Sequence, residues 1–301
     1  YNCAHMNLAT LFDHKKIVFS LEIFPPKTDT SYNAIYNTLL RLRGIPADFI
    51  SVTYGQGGTL AQREKTVEMA SLIRTNYHIE PVAHLTCLYL DESEARDLLT
   101  RLQESGVQNI MVLRGDINAE LTPKTAFKHA SDLAGFIRNL GLNFNMLGAC
   151  YPESHYESES LERDVEALKH KVENGVSQLV TQLFFDNEHF YRFRDLAASK
   201  GIDVPISAGI MPITSLNQIE RTVALSGASV PQRLSHLFSR YANNPKALRD
   251  AGIHYAIDQI IDLIEHDVRG IHLYTMNSVD TATRISDAVQ NILEAENQRK
   301  E

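Results

Sequence analysis

Glu22 stands in the run Val18-Phe19-Ser20-Leu21-Glu22-Ile23-Phe24, where a carboxylate is costly. A carboxyl beside Ile23 and Phe24 loses much of its water, and desolvated carboxyls serve as general acids. The alternative for Glu22 is an internal ion pair with Arg114. Other polar groups close apolar, β-rich runs in the same way: Thr53-Tyr54, His84 with Thr86, and Arg114-Gly115-Asp116. Tyr151, His155 just beyond it, Gln182 and Tyr274-Thr275-Met276-Asn277 continue the pattern. Side chains alternate along a strand, so Ser20, Glu22 and Phe24 share a face. By the same parity Val82, His84 and Thr86 share one, and so do Val112, Arg114 and Asp116.

The residue types narrow the chemistry. No predicted strand carries a lysine, which disfavours a strand-borne Schiff-base aldolase. His84 and His155 stand on separate runs without an HxH pair, so a metal site is undersupplied with ligands. No GxSxG elbow occurs. Cys87 and Cys150 have no neighbouring histidine and read as packing residues. Gly55-Gln56-Gly57-Gly58 lacks the GxGxxG spacing of a dinucleotide turn. What remains is one lone carboxylate, an Arg-Gly-Asp turn, amides and hydroxyls. That set resembles an organic-cofactor site more than a hydrolytic one.

These groups need elements that bring eight run-ends together. The strand candidates are Ile17–Phe24, Phe49–Tyr54, Pro81–Cys87, Asn109–Gly115, Asn145–Tyr151, Gln178–Phe185, Pro205–Met211 and Gly270–Asn277. Helical sequence follows them, as in Ala61–Asn76, Glu92–Ser105, Leu161–Asn174 and Glu188–Ser199. Gly106, Gly141, Gly175 and Gly201 fall where a helix C′ residue is due. Eight alternations predict a (β/α)₈ TIM barrel, with a doubly wound open sheet as competitor. Extra helical sequence at Pro231–Asp267 precedes the eighth strand. In such a barrel, strand C-termini build the active site.

The 301 residues, 44% hydrophobic and 22% charged, suit one barrel domain over residues 6–301. Tyr1–His5 read as a cloning remnant. A net charge of −8 with no basic block argues against a nucleic-acid partner. No apolar run is long enough for a membrane span, and no signal peptide is visible. Three cysteines without a CxxC fit a reducing cytoplasm.

The residues at the strand ends resemble those of methylenetetrahydrofolate reductase. Ser20-Leu21-Glu22-Ile23-Phe24-Pro25-Pro26-Lys27, Ser51-Val52-Thr53-Tyr54-Gly55 and Ala83-His84-Leu85-Thr86-Cys87 match its first motifs. Leu113-Arg114-Gly115-Asp116, Tyr151-Pro152-Glu153-Ser154-His155 and Thr181-Gln182-Leu183-Phe184-Phe185-Asp186 follow in family order. Gly209-Ile210-Met211-Pro212-Ile213 and His272-Leu273-Tyr274-Thr275-Met276-Asn277 complete the series.

The resemblance implies an FAD-holding barrel that reduces 5,10-methylenetetrahydrofolate to 5-methyltetrahydrofolate. Hydride comes from NADH or NADPH in ping-pong fashion, and the product feeds methionine synthesis. It implies that Glu22 is the general acid and that Asp116 tunes the charge of flavin and pterin. Gln182 and Gln218 would orient the folate. Thr53, His84, Leu113, Arg114, Gly115, Asp116, Ala130, Tyr151, His155, Asp164 and Lys171 fall at FAD-contacting positions. Without the resemblance, Lys171 reads as a solvated helix-face charge.

The chain resembles the short bacterial form, without a regulatory domain, and a homo-oligomer is expected. It departs from the family pattern at Ser278, where an Arg is usual, and at His170, Ala167 and Thr222. Two competitors stay open: a metal-dependent lyase or hydrolase using His84, His155 and Asp116, and a folate- or flavin-binding barrel without catalysis.

Overall fold

The structure, a computed structural model, describes residues 8–25, 32–54, 60–155 and 157–299. The segment Tyr1–His5 and the Gly55–Gly58 stretch lie outside these. All eight predicted strands form: β1 (Val18–Ile23), β2 (Phe49–Val52), β3 (Glu80–Thr86) and β4 (Asn109–Leu113). β5 (Asn145–Cys150), β6 (Val176–Thr181), β7 (Ile206–Ile210) and β8 (Gly270–Tyr274) follow. They pair in parallel in chain order, and β1 returns to β8 to close the barrel. Closure decides against the open sheet.

Each strand is followed by a helix: α2 (Tyr32–Leu42), α3 (Leu60–Leu72), α4 (Glu92–Glu104) and α5 (Ala130–Asn139), then α6 (Leu161–Glu173), α7 (Asn187–Ser199) and α8 (Leu216–Ser226). The insertion forms α9 (Gln232–Tyr241) and α10 (Pro245–Glu265), and α11 (Val279–Gln298) follows β8. Five helix starts carry side-chain caps, whereas Ser278 at the start of α11 makes none. Asp91 and Glu94 make a reciprocal capping box on α4, and Ser160, Asp186, Ser215 and Asn244 cap α6, α7, α8 and α10. Gly106, Gly141, Gly175 and Gly201 all take positive φ at the helix ends, as expected.

One element escaped the sequence reading. α1 (Leu8–His14) buries Leu8, Leu11 and Phe12 against Val18, Phe49, Val82, Met111, Leu147 and Val180. These last six alternate with residues packed under the outer helices, such as Phe19, Ile50 and Ala83. They therefore point into the barrel, and α1 plugs its N-terminal mouth. The opposite mouth is left for the site.

β6 ends at Thr181, well before the expected Phe185. Leu183 and Phe185 instead join a satellite core with Leu234, Phe238 and Leu248 from α9 and α10. The apolar run continues past the strand because the inserted helices need partners to bury.

Two asparagines hold β1 at either end. Asn297 on α11 accepts from the Ile17 amide at 2.8 Å and donates to the Ile17 carbonyl at 3.0 Å. Asn277 makes the same pair of bonds with Phe24, at 2.9 and 3.0 Å. To do so, Met276 and Asn277 both adopt left-handed backbone, with φ of 50° and 57°. Asparagine tolerates that region readily, whereas methionine does so at a cost.

Candidate active site

A cleft of about 390 Å³ opens at the C-terminal mouth of the barrel. It is lined by Glu22 and Phe24, Thr53 and Tyr54, His84, Thr86 and Tyr89, and Met111 to Asp116 apart from Val112. Ala149, Tyr151, His155, Val180, Thr181, Gln182 and Tyr274 complete it. Residues from seven of the eight strands or their ends meet there, as the strand-end pattern predicted.

At its floor, Glu22 is 7% exposed. Its Oε2 lies 3.5 Å from Nε2 of His84 and 3.5 Å from Nε2 of His272. Burial lowers the His84 pKa to about 4, against the pull of Glu22, so this imidazole is neutral at pH 7. The expected alternative for Glu22 is overturned, because Arg114 pairs instead with Glu157. The carboxyl thus meets a neutral ring rather than a guanidinium.

The parity argument for β4 also fails. Val112 packs under the outer helices, while Leu113 has the inward register of Met111. The strand stops at Leu113. Arg114 and Asp116 reach the cleft through the turn that follows, where Gly115 has φ of 89°. A Cβ on Gly115 would stand 3.0 Å from the Thr86 Cβ, so the turn lies close against β3. Asp116 is exposed at the mouth.

Tyr274 spans the cleft and donates from its hydroxyl to the Thr181 carbonyl at 2.7 Å. Its phenol is pushed well above 10 by burial and by the Glu22 charge. Gly209 makes room for it: a Cβ there would lie 2.3 Å from the Thr181 oxygen and 2.7 Å from the Tyr274 ring. Tyr151 packs edge-on against His155 at 4.7 Å between centroids, and burial raises its phenol to about 12. The His155 amide donates to Asp164 at 2.6 Å.

Four predicted site residues stand behind the cleft instead of lining it. Asp164 anchors the His155 backbone from α6. Lys171 donates to the Ala149 carbonyl at 2.7 Å, and burial lowers its pKa. It is no solvated helix-face charge. Ala130 begins α5 and is buried. Gln218 accepts from the Thr214 amide at 2.8 Å and donates to the Pro212 carbonyl at 2.9 Å, which fixes the loop after β7.

Sequence reasoning missed His272 as a site residue and, while placing Tyr274 in the strand-end ring, gave it no role. The signal was available: His272 is the sole histidine inside the apolar run Gly270–Tyr274, and Tyr274 shares its face. His84, His155 and Asp116 do not assemble into a ligand set. Among the described residues no group of three His, Cys, Asp or Glu side chains could hold a metal ion.

The walls suit a flat heteroaromatic ligand. Met111, Leu113, Ala149, Val180 and Tyr151 supply apolar surface. Thr53 Oγ1, Tyr54 Oη and His84 Nε2 are buried there without a hydrogen-bond partner. Unsatisfied buried polar atoms beside apolar walls fit ring oxygens and nitrogens of a bound heterocycle. Arg114 is the cationic side chain among the lining residues. No helix among the described residues is long and apolar enough to cross a membrane.

Residues 7–290 match the family described as methylenetetrahydrofolate reductase. The 5,10-methylenetetrahydrofolate reductase of Pectobacterium carotovorum subsp. carotovorum is 32% identical over 270 residues, covering 90% of this chain and 89% of that protein. The enzyme of the same name from Salmonella typhimurium is 32% identical over 273 residues, covering 90% of each. Among solved structures, an uncharacterized protein from Clostridium thermocellum that binds two copies of 5-methyl-5,6,7,8-tetrahydrofolic acid superposes with a TM-score of 0.69. It is 16% identical, covers 96% of this chain and 100% of its own, and is a likeness of fold.

Proposed function

The chain belongs to the methylenetetrahydrofolate reductase family, and from that premise we propose that it reduces 5,10-methylenetetrahydrofolate to 5-methyltetrahydrofolate. Reducing equivalents enter from NADH or NADPH, with FAD as the resident cofactor. The observation that carries this reading is Glu22, a single carboxyl on the cleft floor whose neighbour His84 is neutral. A metal-dependent reading lacks a group of three His, Cys, Asp or Glu side chains to hold the ion among the described residues.

Thr53, His84, Leu113, Arg114, Gly115, Asp116, Tyr151 and His155 would hold the cofactor. Ala130, Asp164 and Lys171 would support them from behind. When bound, FAD supplies hydride acceptance and donation, chemistry that no amino-acid side chain provides. The chain's own part is proton transfer, orientation and exclusion of water. Glu22 delivers a proton to the amine nitrogen that leaves as the folate's five-membered ring opens. Gln182, with its amide at the cleft wall, orients the pterin. Gln218 acts on the folate side through the loop it braces. Asp116, exposed at the mouth, adds negative charge near the site without filling it. Phe24, Tyr54, Tyr89 and Tyr151 keep water from the floor.

One cleft of this size serves the nucleotide and the folate in turn, which is the ping-pong reading. The same reading makes the protein a cytoplasmic homo-oligomer whose product feeds methionine synthesis. Leu225 and Val230, exposed around the α8–α9 junction, support self-association.

The test is spectroscopic. Purified protein is expected to be yellow, to bleach anaerobically with NADH or NADPH, and to recolour on adding methylenetetrahydrofolate. Colourless protein that takes up no added FAD would overturn the reading.

A further inference from the structure

We propose that Tyr89 is a positioning residue for Asp116: its hydroxyl pins the loop after β4 and so fixes where that carboxylate stands at the cleft mouth. The inference rests on the flavin reading above and adds how the charge near the cofactor is held in place.

Residues 114–129 join β4 to α5 without a strand or helix of their own. No side chain from Asp116 to Ala126 is buried, and Ile117 is 68% exposed. Apolar packing therefore does not fix this stretch, and its position depends on polar contacts. The loop after β3 supplies a set of them. The Leu88 amide donates to the Arg114 carbonyl at 3.0 Å, and the Leu88 carbonyl accepts from the Lys124 amide at 2.9 Å. Between them, the Asn118 amide donates to Tyr89 Oη at 2.6 Å. A backbone N–H can only donate, so the direction of this bond is settled. Lys124 Nζ closes the far side on Asp91 and Glu94, at 2.8 and 2.6 Å.

Asp116 thus hangs between two anchors from consecutive residues, Leu88 before it and Tyr89 after it. The first is backbone to backbone and independent of residue type, whereas the second is supplied by a side chain. Tyr89 is itself built in. It is buried, lines the cleft, and its carbonyl accepts from Arg63 Nη2 at 2.6 Å. Arg63 is buried as well and lies 3.6 Å from Glu94. Arg63, Tyr89 and Asn118 form a line of contacts from α3 to the loop. The consequence is electrostatic. A carboxylate near a flavin opposes the negative charge that the ring takes up on reduction, so its field depends on where the loop holds it. Released into solvent, Asp116 is screened and its influence on the cofactor fades.

Tyr89→Phe removes the acceptor and leaves the ring. The first readout is amide hydrogen exchange at Asn118, followed by NMR on the protein as purified. Exchange is expected to quicken about fivefold, the worth of one neutral hydrogen bond, and equal protection in both proteins overturns the proposal. The second readout is the midpoint potential of the bound flavin. Asp116→Asn measures the whole effect of the charge and is expected to raise the potential, and Tyr89→Phe to raise it by less. In the double variant, Tyr89→Phe is expected to add nothing to Asp116→Asn, because it acts through that carboxylate. A Tyr89→Phe shift that persists in full without Asp116, or no shift at all, overturns the proposal. Failure of the flavin reading looks different: the parent protein would take up no FAD, while exchange at Asn118, which needs no flavin, still decides whether Tyr89 pins the loop.

Discussion

Acidification should cost this protein stability through His84 in particular. The imidazole is buried in the folded state with its pKa lowered to about 4, whereas the unfolded chain returns it to its ordinary 6.5. Above pH 6.5 both states hold it neutral and it contributes nothing to the balance. Between 6.5 and 4 the unfolded state binds a proton that the folded state refuses, so stability falls as pH falls. Below 4 both are protonated and the loss is complete. A separation of this size corresponds to about 3 kcal/mol, a large share of a typical domain's 5–15 kcal/mol. His84→Gln keeps a polar side chain of similar length but removes the proton uptake. Urea titrations of both proteins at pH 7.5, 6.5, 5.5 and 4.5 give the two stability curves. The parent is expected to lose about 2.5 kcal/mol more than the variant across that range, most of the full difference. Parallel curves, or a histidine titration by NMR that places His84 near 6.5, would refute the reasoning.

Three further outcomes are expected. Glu22→Gln should slow the folate half-reaction by about 10²- to 10⁴-fold in stopped flow, the usual worth of a general acid. Nucleotide reduction of the flavin should change far less, and equal loss in both would remove Glu22 from that role. Gly209→Ala should displace Tyr274 from its bond to the Thr181 carbonyl, because the added Cβ lies 2.3 Å from that oxygen. Thermal unfolding is expected to show a loss of about 1–3 kcal/mol, the cost of overpacking a filled interior. Asn297→Ala leaves both backbone groups of Ile17 without their partner. A lower urea midpoint, by about 1–3 kcal/mol, is expected, and an unchanged midpoint would mean that water replaces the clamp at no cost.

The barrel was legible because parallel strands buried on both faces are apolar in unbroken runs, and each run here is set off by helical sequence. Glu22, Thr53, His84 and Gln182 were legible for the same reason, as polar residues where apolar ones are expected. What failed was extrapolation beyond hydrogen-bonded strand. Period-two alternation says nothing once the ladder stops, so Arg114 and Asp116 were assigned a shared face that the Gly115 turn does not keep. The run through Phe185 read as strand because its apolar residues serve a second core built by the inserted helices. Ala130, Asp164, Lys171 and Gln218 came from resemblance alone, and their support of the cleft from behind leaves no mark in periodicity. His272 lies below the strand end, outside the C-terminal positions at which polar residues mark a barrel's site. α1 carries few residues and gains its stability from the barrel mouth it fills, which local sequence cannot express.

The paired asparagines on β1 bear on how the protein is made. Ile17 and Phe24 take backbone-like partners from residues 280 and 253 positions away. At a translation rate of about 5–20 residues per second, the first strand waits roughly 13–50 s for the chain that completes its edge. Over that interval the growing sheet has two unpaired edges, β1 and the last strand made, the kind of edge that recruits other chains. Native closure is then a late, all-at-once event in which β8, both asparagines and the Thr275 hydroxyl, which donates to the Glu22 carbonyl at 2.7 Å, arrive together. Glu22, the proposed general acid, gains its final position in the same step that ends the chain's exposure to aggregation.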